Sequence, residues 1–125
     1  MKTMLRIAID PTKSLVDEPA TGHNRWHPDI PPLIRCEPGD EVILETRDAF
    51  DGQLGREAGL DDVAGVNLDQ LHPLTGPVYI EGAEPGDLLD IEILDIEADS
   101  YGYTVQVRRG APAMDLITEP LSKQV

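Results

Sequence analysis

The stretch E-P-G-D-E-V-I-L-E-T, Glu37 to Thr46, and its partial repeat E-P-G-D-L-L-D-I-E-I-L, Glu84 to Leu94, decide the fold class. Pro fixes φ and Gly accepts positive φ, so a Pro-Gly pair followed by Asp and alternating apolar residues is a turn that releases into a strand. Two such strand entries flank a long connection, Arg47 to Val78, which reads D-A-F-D-G-Q from Asp48 to Gln53 and H-P-L-T-G-P from His72 to Pro77. Connections longer than about 12–15 residues inside a compact domain are uncommon and either functional or disordered. Phe50, Leu54, Leu60, Val63, Val66, Leu68 and Leu71 give this one apolar residues to bury, which favours function.

Outward from these turns the chain reads as short strands. Met4 to Asp10 alternates, Leu33 to Cys36 leads into the first turn, and Glu41 to Arg47 leaves it. Pro77 to Glu81 precedes the second turn, and Tyr101 to Arg108 alternates again. In Asp87 to Glu97 the apolar set changes parity between Ile93 and Leu94, as a β-bulge would make it do. One or two helical turns are expected between Gln53 and Leu71, but no ten-residue amphipathic helix. The expectation is an all-β fold: a sandwich or open barrel of short, mostly antiparallel strands with one long functional loop. Residues 1–108 form the β domain and 109–125, which hold Pro112 and Pro120, an irregular tail.

With 125 residues the chain is one domain by length. Twenty-four acidic residues against ten basic ones give a formal charge of −14, which repels phosphate backbones and anionic lipid, so neither nucleic acid nor membrane is an expected partner. Only three of the basic residues are lysines, a balance that resembles proteins adapted to concentrated salt. An ordinary acidic protein is the alternative. The lone Cys36 rules out an internal disulfide framework and reads as a small buried side chain. No signal-peptide core and no membrane-length apolar run is visible, so a soluble, cytoplasmic protein is expected.

The side chains suited to chemistry are His23, His27, Asp48, Asp51 and His72, all in loops beside strand ends. Imidazole and carboxylate together suit a divalent ion such as zinc, which lowers the pKa of its bound water. Each has a structural alternative: His27 precedes Pro28 in a turn, Asp51-Gly52 is a turn dipeptide, and Asp48 sits where a strand ends. Trp26 and Phe50 read most simply as packing residues, and Thr75 as a hydroxyl donor or a turn residue. No Ser-His-Asp spacing, phosphate-binding glycine loop or Cys-x-x-Cys pair is present.

Three blocks in order, H-N-R-W-H-P-D-I-P-P from His23, P-G-D-E-V-I-L-E-T-R-D-A-F-D-G-Q from Pro38 and H-P-L-T-G-P-V-Y-I-E-G-A-E-P-G-D-L-L-D-I-E-I-L-D-I from His72, resemble the amino-terminal part of the acetamidase/formamidase family. The resemblance covers about His23 to Thr104 and fades after Tyr103. It implies a mainly β fold and hydrolysis of short aliphatic amides, such as formamide and acetamide, to the carboxylate and ammonia. Carried over position by position, the family's motifs fall on His23, Trp26, Asp48, Gly52, Gln53, His72, Thr75 and Gly76. On this reading Asp48, His72 and Thr75 are catalytic, Trp26, Gly52, Gln53 and Gly76 bind substrate, and His23, Asp48 and Asp51 hold a metal such as zinc. Family members are considerably longer, so the chain is expected to work as a homo-oligomer or with a second polypeptide that supplies the rest. The alternative is a non-catalytic β module for self-association or partner binding.

Overall fold

The computed structural model describes residues 3–106 and 121–124. They divide into two units, one built from the chain up to Gln53 together with Val66–Leu88, the other from Leu54–Gly65 together with the chain from Leu89 onward.

The first unit holds six short strands: β1 (Met4–Ile7), β2 (Gly22–His23), β3 (Ile34–Cys36), β4 (Glu41–Leu44), β5 (Leu74–Thr75) and β6 (Val78–Ile80). They pair as parallel β1–β4, antiparallel β2–β5 and parallel β3–β6. Parallel partners need a long crossover, and here the crossovers carry other strands, β2 and β3 between β1 and β4, and β4 and β5 between β3 and β6. Beyond the ladders, Glu41 N–H donates to Thr3 O and Glu45 N–H to Ile7 O, while Leu33 N–H donates to Pro77 O and Glu81 N–H to Cys36 O. Arg6 crosses from β1 to Glu45, and Arg35 crosses from β3 to Glu81 at 2.6 Å while lying over the Tyr79 ring. Ile7 and Cys36 are buried, the latter as its sequence context implies.

The two Pro-Gly turns are copies of one another. In the first, Asp40 N–H donates to Glu37 O and the Asp40 carboxylate accepts from Glu37 N–H; in the second, Asp87 and Glu84 make the same pair of bonds. Gly39 and Gly86 both have positive φ, which the turn requires at that position. Their sequels differ. The residues after the first turn become β4, whereas Leu88 to Asp99 belong to no strand. The bulged strand expected at Asp87 to Glu97 is therefore not formed; its local sequence is strand-like, but among the described residues it has no neighbour to pair with.

The second unit contains a short helix, α1 (Leu60–Ala64), whose Asp62 carboxylate accepts from Gly59 N–H at its start. It also contains the antiparallel pair β7 (Tyr103–Gln106) and β8 (Leu121–Gln124). Arg56 lies over the Tyr101 ring at 4.5 Å, and Leu54 is buried. Of the tail at 109–125 only Leu121–Gln124 fall within the described residues, where they form β8; the remainder of that expectation lies outside them. The fold is strand-dominated, as the turn pattern implies, with no closed barrel among the described residues. Nor is any described helix long and apolar enough to cross a membrane.

Candidate functional site

The loop motif D-A-F-D-G-Q folds on itself. Asp48 ends the run from β4, and its carboxylate accepts from Phe50 N–H at 2.8 Å and from Gly52 N–H at 2.9 Å, while its carbonyl accepts from Asp51 N–H. Asp51 and Gly52 both take positive φ, a conformation that Asp tolerates better than most residues and Gly adopts freely. This turn drives the Asp51 side chain inward. Its Oδ2 accepts from Leu15 N–H at 2.8 Å, and its buried Oδ1 has no hydrogen bond but lies 3.7 Å from Arg47 Nε. Arg47 also donates to Glu18 at 2.6 Å and to Thr21 Oγ1 at 3.0 Å. One guanidinium thus holds the turn against the segment before β2.

Gln53 closes the motif. Its side-chain amide donates to Asn67 O at 3.1 Å and accepts from Asn67 N–H at 2.8 Å. That reciprocal pair joins the two ends of the excursion between residues 53 and 67. His72, with positive φ, donates its N–H to Ala49 O at 2.8 Å, which brings the H-P-L-T-G-P block alongside the D-A-F-D-G-Q turn. From there β5 runs against β2, setting Thr75 opposite Gly22 and Leu74 opposite His23. Thr75 Oγ1 donates to Glu45 O at 2.6 Å, and Gly76 is buried ahead of a cis peptide bond to Pro77.

Two neighbouring cavities result. The first, of about 320 Å³, is walled by apolar groups of Leu15, Val16 and Ile30 and carries His23, Asp51 and Gln70 on its lining. The second, of about 560 Å³, has Trp26, His72 and Leu74 on its lining. Asn24, Arg25 and Asp69 line both. The side chain of Asn24 spans this common wall, donating to Asp69 O at 2.6 Å. In the first cavity His23 Nδ1 lies 2.5 Å from Arg25 O. A carbonyl can only accept, so Nδ1 carries the hydrogen and Nε2 is the nitrogen left for a ligand or a proton.

These positions divide the expected site residues into three groups. His23 and Asp51 share one cavity, and His72 and Trp26 share the next; neither lining includes Asp48. Asp48, Gln53 and Thr75 have polar groups engaged with the backbone. Gly52 and Gly76 both have positive φ. His27 is the turn residue its sequence context allows, its Nδ1 accepting from Asp29 N–H. Zinc needs three or four converging donors, and among the described residues no three His, Cys, Asp or Glu side chains are grouped that way. Of the set His23, Asp48 and Asp51, His23 and Asp51 line one cavity, and the Asp48 carboxylate accepts from Phe50 N–H and Gly52 N–H. Sequence reasoning overlooked Arg47, Asn24 and Asp69. Arg47 stands in the sequence as the basic residue four positions before Asp51, and Asn24 lies within the block that begins at His23; nothing in the sequence marks Asp69.

A strand-dominated scaffold that opens loop-built cavities at its strand ends places the chain in the all-β class, and solved structures of that class resemble it closely. A gamma lactamase from Delftia acidovorans superposes with a TM-score of 0.74 and 41% identity, over 83% of this chain and 26% of that one. An acetamidase from Bacillus halodurans superposes with a TM-score of 0.71 and 31% identity, over 83% and 35%. Residues 8–122 match the model of the acetamidase/formamidase family, and the chain belongs to that family. The match extends beyond the three quoted blocks at both ends. An acetamidase of Mycolicibacterium smegmatis is 48% identical over 89 residues, which are 71% of this chain and 22% of that protein. A formamidase of Methylophilus methylotrophus is 44% identical over 96 residues, 77% and 23%. The chain therefore spans about a quarter of the length of the curated relatives it matches.

Proposed function

We propose that the chain is part of an amidase for short linear amides such as formamide and acetamide, acting together with polypeptide that supplies the remainder of the family fold. The observation that carries this reading is the family match over residues 8–122. The local chemistry supports it. Amide hydrolysis needs a group that moves a proton to the departing amine, and His23, with Nδ1 committed to Arg25 O, has a single nitrogen for that task. Asp51 and Arg47 fix the turn beside it, and Asn24 with Asp69 forms the polar wall against which a small amide would hydrogen-bond. His72 and Trp26, in the adjoining cavity, suit substrate entry better than the reaction itself.

Ammonia release from formamide and acetamide tests the reading. It is measured on the 125-residue chain and on the chain co-expressed with the part of the M. smegmatis acetamidase outside the matched 22%. Turnover is expected from the combined protein and is expected to fall at least 100-fold in His23→Ala, with unchanged circular dichroism. A stable complex of the two polypeptides that releases no ammonia removes the amidase reading.

A further inference from the structure

The residues after the second Pro-Gly turn have a strand-like sequence but belong to no strand among the described residues. From Leu88 to Ile96 the apolar side chains stand in solvent: Leu88 is 96% exposed, and Ile91, Ile93 and Ile96 are each more than two-thirds exposed. Among the described residues, none of the backbone hydrogen bonds reaches this stretch beyond the turn itself; Ile96 N–H meets only the neighbouring Asp95 carboxylate. The first E-P-G-D turn shows what such a sequence does when a partner is present, because its following residues pair with β1. Unpaired donors and acceptors beside exposed isoleucine and leucine make a template for strand addition.

Charge selects the occupant. Asp87, Asp90, Glu92, Asp95 and Glu97 accompany these apolar residues, and no lysine or arginine occurs between Asp87 and Asp99. Two copies laid edge to edge would set carboxylates against carboxylates, which destabilises a cross-strand pair, on chains that each carry −14. A strand whose apolar residues alternate with Lys or Arg satisfies both the backbone and the charge. The relatives are about four times as long as the matched region, so the family fold has ample further chain to provide one.

We infer that Leu88–Ile96 is a docking edge for a β-strand bearing alternating apolar and basic residues, supplied by the polypeptide that carries the rest of the family fold. The inference stands on family membership and not on amide hydrolysis, so its readout is amide hydrogen exchange and co-purification, not turnover.

The test uses the tagged 125-residue chain, alone and co-expressed with the part of the M. smegmatis acetamidase outside the match. Expected are co-purification of the two, and exchange over Leu88–Ile96 slowed at least 100-fold relative to the chain alone. Ile91→Asp/Ile93→Asp, which alters two solvent-exposed side chains and so leaves the chain folded, is expected to lose capture. Three results overturn the inference: the fragment stays insoluble or separate in the presence of the chain, the complex forms with this stretch still exchanging freely, or the double variant captures the fragment as well. Protection that instead rises with the concentration of the chain alone overturns it too, by assigning the edge to a second copy.

Discussion

Arg47 Nε lies 3.7 Å from Asp51 Oδ1, with the two side chains only 5% and 2% exposed. The same guanidinium reaches Glu18 and Thr21, so a single cation holds the loop turn and the segment before β2 in one arrangement. Removing one member of a buried pair leaves the other charge uncompensated, which costs about 3–5 kcal/mol. Arg47→Ala is therefore expected to lower the unfolding free energy by about that amount in urea titration. Arg47→Lys rescues little, because one ammonium cannot serve three separated acceptors. The double variant Arg47→Ala/Asp51→Ala is expected to lose less than the sum of the single losses; strict additivity would show that the two groups do not interact.

A second prediction concerns acid. Glu45 is held below the usual carboxylate range first by its hydrogen bonds from the Arg6 guanidinium and then by Ile9 N–H, and Glu81 is held there by Arg35. A carboxyl whose folded pKa is depressed contributes stability that is fully present above its unfolded value, about 4.3, and is lost as pH falls through the folded value. Glu45→Gln/Glu81→Gln is thus expected to be less stable than the parent at neutral pH and to match it at strongly acid pH. Urea midpoints measured across that range check this, and a gap that widens toward acid contradicts it.

The parts of this architecture visible in the sequence are those decided within four or five residues. Pro38-Gly39 and Pro85-Gly86 dictate their turns, and Asp51-Gly52 dictates the loop turn, because proline and glycine dihedrals and short carboxylate hydrogen bonds act locally. Strand pairing is decided elsewhere. Glu41–Leu44 and Leu88–Ile96 look alike in sequence, yet only the first finds a neighbour, and parallel partners 37 positions apart in register, such as Met4 and Glu41, leave no local signal. The site divides along the same line. His23 and His72 stand out as histidines, but their separation into adjoining cavities follows from the β2–β5 register and the His72 to Ala49 hydrogen bond. The Gln53 amide is matched to the backbone of Asn67, a contact across the excursion that spacing cannot reveal.

Gly22 carries a third prediction. A Cβ placed there would lie 2.2 Å from Leu74 O on the paired strand, and a backbone carbonyl in a ladder cannot move aside cheaply. Its φ of 176° is ordinary extended backbone, so the constraint is space and not conformation. Gly22→Ala is expected to cost about 1–3 kcal/mol by overpacking and to displace His23 next to it. Unchanged thermal stability, together with an unchanged chemical shift of the His23 ring, would show that β2 and β5 do not approach this closely.

Thr75 distinguishes a positioning role from a catalytic one. Its hydroxyl donates to Glu45 O, which links β5 to the end of β4. Thr75→Val keeps the shape and removes this bond, with an expected cost of about 1 kcal/mol. Thr75→Ser restores it. If the hydroxyl acts only through position, kcat of the combined enzyme follows stability and recovers with serine at temperatures where both variants are folded. A kcat loss of 100-fold or more in fully folded Thr75→Val would place the hydroxyl on the substrate.

Salt tests the charge balance of the whole chain. The formal charge of −14 arises from 24 carboxylates against ten basic side chains, so folding concentrates like charge. Raising ionic strength to about 1 M shortens the screening length to about 3 Å and relieves that repulsion. It also weakens the exposed pairs Arg6–Glu45, Arg35–Glu81 and Lys13–Asp10, which acts in the opposite sense. These pairs engage few of the charges, whereas self-repulsion involves most of the surface, so the first effect dominates. The thermal unfolding midpoint is expected to rise from dilute buffer to molar KCl, with the same direction in NaCl. A midpoint that falls in both salts would show that the exposed ion pairs outweigh the repulsion among the carboxylates, and would remove the case for adaptation to concentrated salt.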